Sequence, residues 1–395
     1  MPMVFINNGC EYLTRDSMTT LAQVHAAFQK WLYVPDTKRI DVVLATALTA
    51  STQGTPIWLI LVGASGDWKT EQLTALNDPE YSKLIGRLTP NTLISGDRRA
   101  KDLAPELHNK IFLIKDMAQM LTLPPDHKAA IWAQLRDLYD GRISKATGSG
   151  SDKTYEVYTT LIAASTPAID EQILQGQALG TRELIWRTDA ETLSPEENKK
   201  VMDACLANEG HDEEMKTHLS SITRGFLHTR KFTPITPTPE IEEKLKEYAL
   251  FTRMMRATGE SDYDGNLRNV VYPEQPTRIL KQYKRLYQAL KCLEDDYSDE
   301  RALAIIHHLA HSAAHRVRLN IYYTLAGMEG AKSTNWIAHE SSVGYKSANF
   351  HLSILRAVGV VERHLVEEEN SYGRILERVT WKMKRPVVKQ EKLSA

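Results

Sequence analysis

Continuous apolar runs bounded by glycine, proline and polar residues dominate the first half of the chain. Such runs occur at Trp58–Val62, Ile111–Ile114 and Thr160–Ala163, and a shorter one at Leu184–Trp186. This pattern is typical of strands buried on both faces of a parallel sheet, since a half-exposed strand alternates. Between them, residues 131–138 carry apolar side chains at helical spacing. The alternation predicts a doubly wound, parallel α/β sheet.

The pattern is helical on both sides of this segment. Residues before 55 predict two helices, and from about Ser194 onward the strands disappear until a two-stranded ribbon after Val360. Near the end, Thr334–Glu340 and Lys346–Gly359 read as helix, turn and second helix. The predicted domains are a helical segment (1–54), an α/β core (55–190), a helical region (191–300), a winged helix-turn-helix (301–385) and a basic tail (386–395).

Composition and charge narrow the class of protein. The chain has 395 residues, 42% hydrophobic and 25% charged, which are ordinary globular values and exclude a disordered chain. Forty-nine basic and fifty acidic residues leave a net charge of −1, so no global basic field attracts nucleic acid. Any DNA binding must come from a local patch. Residues 341–395 are such a patch, with ten Lys or Arg against six Glu.

Cysteine content and hydropathy indicate in which cellular compartment the protein works. Cys10, Cys205 and Cys292 are far apart and odd in number, which favours a reducing environment over a disulfide framework or a zinc quartet. The longest apolar stretch, Ile57–Val62, is far shorter than the roughly 20 residues of a membrane span. We expect a cytoplasmic protein without a membrane partner.

A loop after the first strand suggests phosphate binding. Residues 63–70, Gly-Ala-Ser-Gly-Asp-Trp-Lys-Thr, follow a buried strand and open a helix. Backbone N–H groups of such a loop cradle phosphates, while Lys69 reaches the terminal phosphates and the Thr70 hydroxyl ligates Mg²⁺. The predicted nucleotide-binding residues are Gly63, Ser65, Gly66, Asp67, Trp68, Lys69 and Thr70. Trp68 departs from the motif, which has a small residue there, so a turn without phosphate chemistry stays an alternative.

Further segments follow in a fixed order. They are Ile111–Asp116, Ile131–Ser149, Ala163–Pro167, Gly180–Arg187 and Pro276–Lys281. Together with loop 63–70 they resemble the AAA+ ATPase module of minichromosome-maintenance (MCM) type replicative helicases, particularly compact relatives carried by mobile elements. The resemblance covers about residues 55–380. It implies that the helical region is the lid of the nucleotide site.

The resemblance assigns a role to each segment. Asp116 at the end of the Walker B strand would hold Mg²⁺ or polarise the attacking water, and Thr166 in sensor 1 would orient that water. Arg182 would be the arginine finger that reaches a neighbouring subunit's nucleotide, and Arg278 the sensor 2 arginine of the lid. Lys145 would lie on a hairpin facing the pore. For Lys145, Arg182 and Arg278 an ordinary solvated surface role stays open.

The sequence departs from the family at the catalytic centre. Trp68, the Lys115-Asp116 pair in place of two acids, and Thr166 in place of Asn each bear on hydrolysis. The family's large N-terminal DNA-binding and zinc-binding domains have no counterpart in residues 1–54. These departures permit a chain that binds nucleotide but hydrolyses it slowly.

Two further groups of residues are candidates for binding. In the winged helix, Lys346, Asn349 and Arg356 could contact DNA, with a regulatory appendage as the alternative. His307, His308, His311 and His315 could share one side of a helix, but no cysteine or carboxylate completes a metal site there, and ordinary helix histidines are the favoured interpretation.

The leading hypothesis is a homo-oligomeric AAA+ ATPase, a hexameric ring that binds ATP and Mg²⁺ between subunits and acts on DNA as a helicase-like motor in mobile-element or phage replication. One alternative is a nucleotide-binding switch that assembles on DNA through the winged helix as an initiator or regulator. A third is an interaction protein whose ATPase centre has lapsed.

Overall fold

The computed structural model describes residues 19–97, 99–146, 152–170, 182–188, 193–271, 275–369 and 375–384. The strands are β1 (Trp58–Val62), β2 (Ser82–Ile85), β3 (Lys110–Ile114), β4 (Arg142–Lys145), β5 (Lys153–Glu156), β6 (Thr159–Ser165), β7 (Glu183–Arg187), β8 (Thr258–Ser261), β9 (Leu267–Val271), β10 (Lys332–Ser333), β11 (Val361–Glu369) and β12 (Ile375–Met383). The helices are α1 (Leu21–Leu32), α2 (Lys38–Leu48), α3 (Lys69–Ala75), α4 (Ala118–Leu121), α5 (Pro125–Tyr139), α6 (Pro195–Ala207), α7 (Asp212–Thr229), α8 (Pro239–Met255), α9 (Thr277–Leu290), α10 (Asp299–Ser312), α11 (Arg316–Ala326), α12 (Thr334–Glu340) and α13 (Tyr345–Ala357).

A five-stranded sheet in the order β2-β3-β6-β1-β7 is the centre of a mixed α/β fold. The pairs β2–β3, β3–β6 and β1–β6 are parallel. All four predicted apolar runs are strands of this sheet, so the predicted α/β class with a parallel sheet is confirmed. Every residue of β1 and β6 is buried, which explains why both read as unbroken apolar runs. Strand β2, short and half-exposed, carries no such signal.

The chain divides into two compact units. The first comprises residues 1–167, 188–236 and 285–302. In it, the described N-terminal residues form α1 and α2, and α1 packs against α6 and α7. The buried carboxylate of Asp41 on α2 binds three side chains, His25, Tyr297 and Arg301. These bonds fasten α1 and the 285–302 segment to α2.

The second unit comprises residues 168–187, 237–284 and 303–395. Its strands correct one prediction, because the helical region is interrupted by an antiparallel hairpin of β8 and β9. Helices α12 and α13 form the predicted helix-turn-helix, and β11 pairs with β12 as the predicted ribbon, with β10 as a third strand. Ser333 caps α12 by accepting a hydrogen bond from the Trp336 N–H.

In the ranges that the structure describes, none of the helices combines the length and the apolar character that crossing a lipid bilayer requires.

Candidate phosphate-binding site

Three neighbouring strands end at the same edge of the sheet, and backbone hydrogen bonds join their ends. The Gly63 N–H, directly after β1, donates to the Ser165 carbonyl at the end of β6 (3.2 Å). The Met117 N–H, beyond β3, donates to the Ala164 carbonyl (2.8 Å). Because β6 lies between β1 and β3, the loop after β1 and Asp116 after β3 flank the end of β6. The structure therefore brings three of the predicted motifs together.

Gly63 is required at the start of loop 63–70 by close approach of its neighbours. A Cβ atom there would lie 1.8 Å from the Thr188 hydroxyl oxygen and 2.5 Å from Oδ2 of Asp67. Thr188 is held there because both its N–H (2.9 Å) and its hydroxyl (3.3 Å) donate hydrogen bonds to the Val62 carbonyl. Gly66, by contrast, has φ of +81° and open space around it, so glycine serves backbone conformation there.

Trp68 adopts the left-handed conformation that its position in the motif demands. Its φ and ψ are 51° and 14°, and it precedes the first residue of α3. A left-handed non-glycine residue costs about 1–3 kcal/mol, a cost borne by the surrounding structure. A glycine would adopt this conformation without that cost. Its indole Nε1 is buried and has no hydrogen-bond partner within the described part of the chain.

The amine of Lys69 is buried against its own loop. Nζ donates hydrogen bonds to the carbonyls of Gly63 (3.1 Å) and Ala64, and lies 4.0 Å from Oδ2 of Asp67. Burial lowers the pKa of this amine, while the Asp67 carboxylate opposes the shift. Asp116 also acts on Lys69 electrostatically, in the direction that raises its pKa. Two carboxylates of the predicted site, Asp67 and Asp116, thus stabilise the charged form of Lys69.

Arg39 is a site residue that the sequence did not point to. From α2 its Nη1 donates to Oδ1 of Asp67 (2.8 Å) and its Nη2 to the Asp67 carbonyl (3.1 Å). Both side chains are largely buried. The guanidinium neutralises the negative charge that Asp67 introduces into the loop and fixes the loop backbone. No local motif identifies Arg39, because its partner is 28 residues away along the chain.

Asp116 is held beside the loop by a turn of its own. Its Oδ1 accepts the Ala118 N–H (2.8 Å), an Asx turn that fixes the side chain at the start of α4. The carboxylate is half-buried. Lys115, the residue before Asp116, donates its N–H to the Ile85 carbonyl of β2 (3.0 Å).

Buried polar atoms without partners cluster at this edge. Considering only the described residues, the side-chain atoms that lack a hydrogen bond include Arg39 Nε, Asp67 Oδ2, Trp68 Nε1, both amide atoms of Gln72 and Ser165 Oγ. Ser165 is buried, while the predicted sensor residue Thr166 beside it is partly exposed. Unsatisfied groups at this density are unusual in a folded protein and favour a site that binds a polar ligand. Gln72 and Ser165 had no sequence signal.

Three loop positions of the predicted site face solvent. Ser65, Gly66 and Thr70 are exposed, so their backbone and hydroxyl groups are accessible. Within α3 the Thr70 carbonyl accepts a bond from the Thr74 hydroxyl (2.8 Å).

The two predicted arginines of the nucleotide site lie in the second unit. Arg182 is 9% exposed, its carbonyl accepts from Gln282 (2.6 Å) and its N–H donates to the Glu183 carboxylate (3.0 Å). Arg278 is half-exposed in the first turn of α9. The monomer therefore buries the residue that the resemblance would direct toward a neighbouring subunit.

The predicted hairpin is present as β4 and β5, while residues 147–151 at its tip lie outside the described residues. Lys145 is bound within the first unit, since its Nζ donates to Oδ1 of Asn91 (2.8 Å) and to the Ile94 carbonyl (3.3 Å). Lys153 opposite it binds the buried carboxylate of Asp102 (2.8 Å). Both lysines thus fasten the hairpin to the 89–102 loop.

The candidate DNA-binding residues of the second unit lie along one helix. Lys346 and Asn349 on α13 contact the β8–β9 hairpin, and Arg356 is exposed about two turns beyond Asn349. The hairpin is thus a neighbour that the sequence did not predict for them.

The histidines lie in a row in the second unit, with His307 buried and His308, His311 and His315 partly buried. The ring of His307 lies 3.9 Å from that of His311, which stacks on Tyr323 and bonds to its hydroxyl. Helix α10 ends at Ser312, so His315 precedes α11 instead of continuing the same helix. Burial lowers the pKa of His307 to about 3 and of His311 to about 4, so both rings are neutral near pH 7. In the described ranges, potential ligands nowhere gather in a metal-binding group of three.

Comparison with models of known protein families finds no match, and a search of curated proteins finds no significant relative.

Proposed function

We propose that the chain is an AAA+ ATPase module that acts on DNA, with ATP phosphates bound by loop 63–70. One observation carries the proposal: the ends of β1, β6 and β3 are adjacent in the sheet and deliver Lys69, the sensor segment and Asp116 to one place. In open α/β sheets, ligands bind at the carboxyl ends of the strands. The resemblance to MCM-type modules supplies the choice of ATP among phosphate ligands.

The residues of the loop fit a phosphate group. Backbone N–H groups of the loop and the Lys69 amine would hold the phosphates. Trp68 Nε1 and Arg39 Nε, which have no partner among the described residues, would be further hydrogen-bond donors. Asp67 would repel an anion if it were alone. Because Arg39 binds it through two hydrogen bonds, its charge is largely compensated.

Mg²⁺ would be held by the Thr70 hydroxyl and the Asp116 carboxylate. Hydroxyl and carboxylate oxygens are the ligands that this hard cation prefers. When bound, the ion neutralises charge on the phosphates. The protein's own contribution is to keep Asp116 oriented through its bond with the Ala118 N–H. The Thr166 hydroxyl would orient the attacking water.

Oligomerisation and DNA binding complete the proposal. A hexameric ring would bring Arg182 of one subunit to the nucleotide of the next, and Arg278 would act from the lid. Since Arg182 is buried in the monomer, its segment must shift on assembly. Helices α12 and α13 with β11 and β12 would be a winged helix, the module expected to contact DNA.

A second candidate is a nucleotide-dependent switch with slow turnover. The Lys69 amine already donates to two carbonyls of its own loop, and one carboxylate stands where the family has two. Nucleotide must therefore displace internal bonds of Lys69. Binding would then change the loop's conformation more readily than it would accelerate hydrolysis.

Titration calorimetry with ATP and Mg²⁺ tests the proposal. We expect Lys69→Ala to weaken binding by tenfold or more, about the effect of losing a charge-assisted contact to phosphate. Lys101→Ala is the matched control, because this lysine lies on the surface of the same unit and pairs with Glu106. Equal affinity in wild type, Lys69→Ala and Lys101→Ala would refute phosphate binding at the loop.

A further inference from the structure

A polar cavity of about 440 Å³ opens in the second unit between the β8–β9 hairpin, α13 and the β11–β12 ribbon. Its polar lining consists of Asn266, Asn349, Ser353, Arg356 and Arg363, and the indole of Trp381 also borders it. None of the described lining residues is acidic. The cavity therefore combines two cations with amide and hydroxyl groups.

Both arginines are available to a ligand. Arg356 and Arg363 are exposed, and within the described ranges neither forms a hydrogen bond or an ion pair with the protein. Guanidinium groups donate paired hydrogen bonds in a planar fork that matches phosphate oxygens. Two unpaired guanidinium groups at one cavity thus suit a phosphate group.

The hairpin is held firmly on the first turns of α13. Lys346 Nζ donates to the Tyr263 carbonyl (3.0 Å) and lies 4.3 Å from the centre of the Tyr263 ring. Asn349 donates to the Gly265 carbonyl (3.3 Å). Gly265 has φ of +80°, and a Cβ there would lie 2.7 Å from the Lys346 carbonyl, so the contact depends on glycine.

This contact changes how α13 can meet DNA. Recognition helices read base edges with their N-terminal residues in the major groove. Here Lys346 and Asn349 are engaged by the hairpin, and Asp264 lies 3.6 Å from the Lys346 amine. The unpaired positive charge is instead at Arg356 and Arg363, which favours contact with the nucleic-acid backbone over base reading.

We propose that the cavity binds a backbone phosphate of single-stranded nucleic acid, with the hairpin as one wall. The proposal rests on the DNA-acting function above and names the surface that carries it. Tyr263 at the tip of the hairpin is 91% exposed and offers an aromatic face on which a base can stack. A positive groove beside an exposed aromatic ring is the usual design of single-strand binders.

Fluorescence anisotropy with a labelled 20-nucleotide single strand over a salt series tests the cavity. We expect Arg356→Ala and Arg363→Ala each to weaken binding about tenfold and to reduce the salt slope by about 0.7. Lys382→Ala is the matched control, because Lys382 is next to Trp381, the partner of Arg363, and so faces the other side of the ribbon. Lys382→Ala should bind like wild type.

Two further variants and a measurement with inorganic phosphate separate this proposal from a covered helix or a free-anion site. Gly265→Ala should weaken binding by displacing the wall, whereas tighter binding would mean that the hairpin covers α13 and would overturn the proposal. Tyr263→Ala should weaken binding of the single strand but not of a duplex. Binding of inorganic phosphate at millimolar concentration in titration calorimetry, in a protein that binds no oligonucleotide, would make this a free-anion site and also overturn the proposal.

Failure of the cavity and failure of the DNA-acting function give different results. If wild type binds the oligonucleotide and both arginine variants bind it equally well, the cavity proposal alone is wrong. If wild type binds no oligonucleotide, both are wrong. Circular dichroism of each variant shows that it is folded.

Discussion

Removal of Arg39 tests whether its hydrogen bonds to Asp67 stabilise the packing of loop 63–70 against α2. Arg39→Ala deletes the two hydrogen bonds to Asp67 and leaves that carboxylate largely buried. Lys69, at 4.0 Å, is then its one nearby cation in the described part of the chain. Hydrogen bonds to charged groups contribute about 1.5–3 kcal/mol each. Breaking a buried ion pair by removing one partner costs about 3–5 kcal/mol. Because the Lys69 amine partly compensates the charge of Asp67, we expect the free energy of unfolding of this region to fall by about 3 kcal/mol.

Peptide-level hydrogen exchange over α2 and residues 58–76 is the appropriate assay, since the chain has two units and a single unfolding transition is not expected. A loss of about 3 kcal/mol corresponds to exchange roughly a hundredfold faster in these segments. Arg87→Ala, at an exposed arginine of the same unit, is the control and should change exchange little.

The double variant Arg39→Ala/Asp67→Ala isolates the pair. It should be less destabilised than the sum of the single variants by at least about 1 kcal/mol, because the second substitution removes the stranded charge. ATP affinity should fall about tenfold in Arg39→Ala, as Asp67 then attracts Lys69 away from the phosphates. A stabilising role of the Arg39–Asp67 hydrogen bonds would be refuted if hydrogen exchange in Arg39→Ala were no faster than in Arg87→Ala. It would also be refuted if the stability losses of the two single variants simply added in the double variant.

Two further predictions concern loop 63–70, and a third concerns the histidines of the second unit. Gly63→Ala should lower the melting temperature and abolish ATP binding because its Cβ would meet Thr188 at 1.8 Å, while Gly86→Ala, with open space around it, should melt as wild type does. Trp68→Gly should relieve left-handed strain of about 1 kcal/mol. It also removes the packing of a partly buried indole and adds the flexibility of glycine to the unfolded chain, together about 2–3 kcal/mol, so the urea midpoint should fall; a midpoint at or above that of wild type would contradict this. Burial lowers the pKa of His311 to about 4, so this ring takes up its proton at higher pH when unfolded than when folded. The ring should therefore lower the stability as pH drops from about 6.5 toward 4, by up to about 1.4 kcal/mol per pH unit, and His307 adds a dependence of the same sign. His311→Phe should reduce the measured slope by about one such contribution and leave that of His307, in melts across this range.

The buried sheet was predictable because its strands are unambiguous in the sequence. Runs such as Trp58–Val62 are apolar at every position, and strands with both faces buried have this composition. Strand β2 was missed because Ser82–Ile85 is short and half-exposed, so nothing distinguishes it from a loop. The β8–β9 hairpin was missed for a related reason: Thr258–Ser261 is polar, and only the Asp264-Gly265 pair indicated a turn.

The residues of the candidate site also fall into those that the sequence predicted and those that it did not. Lys69 and Asp116 follow buried strands, and the ends of adjacent parallel strands meet, so their proximity follows from the topology. Arg39 and Ser165 contribute through contacts that only the folded chain creates, one across 28 residues and one through a strand pairing. Trp68 contradicts the motif in the sequence, yet its backbone keeps the left-handed conformation at φ of 51°.

ATP turnover with and without single-stranded DNA, in wild type, Lys69→Ala and Trp68→Gly, tests the central claim most directly. An ATPase that acts on DNA predicts turnover in wild type that DNA stimulates and that Lys69→Ala abolishes. Absence of ATP binding and turnover in wild type, with recovery of binding in Trp68→Gly, would contradict the account and identify loop 63–70 as a lapsed phosphate site.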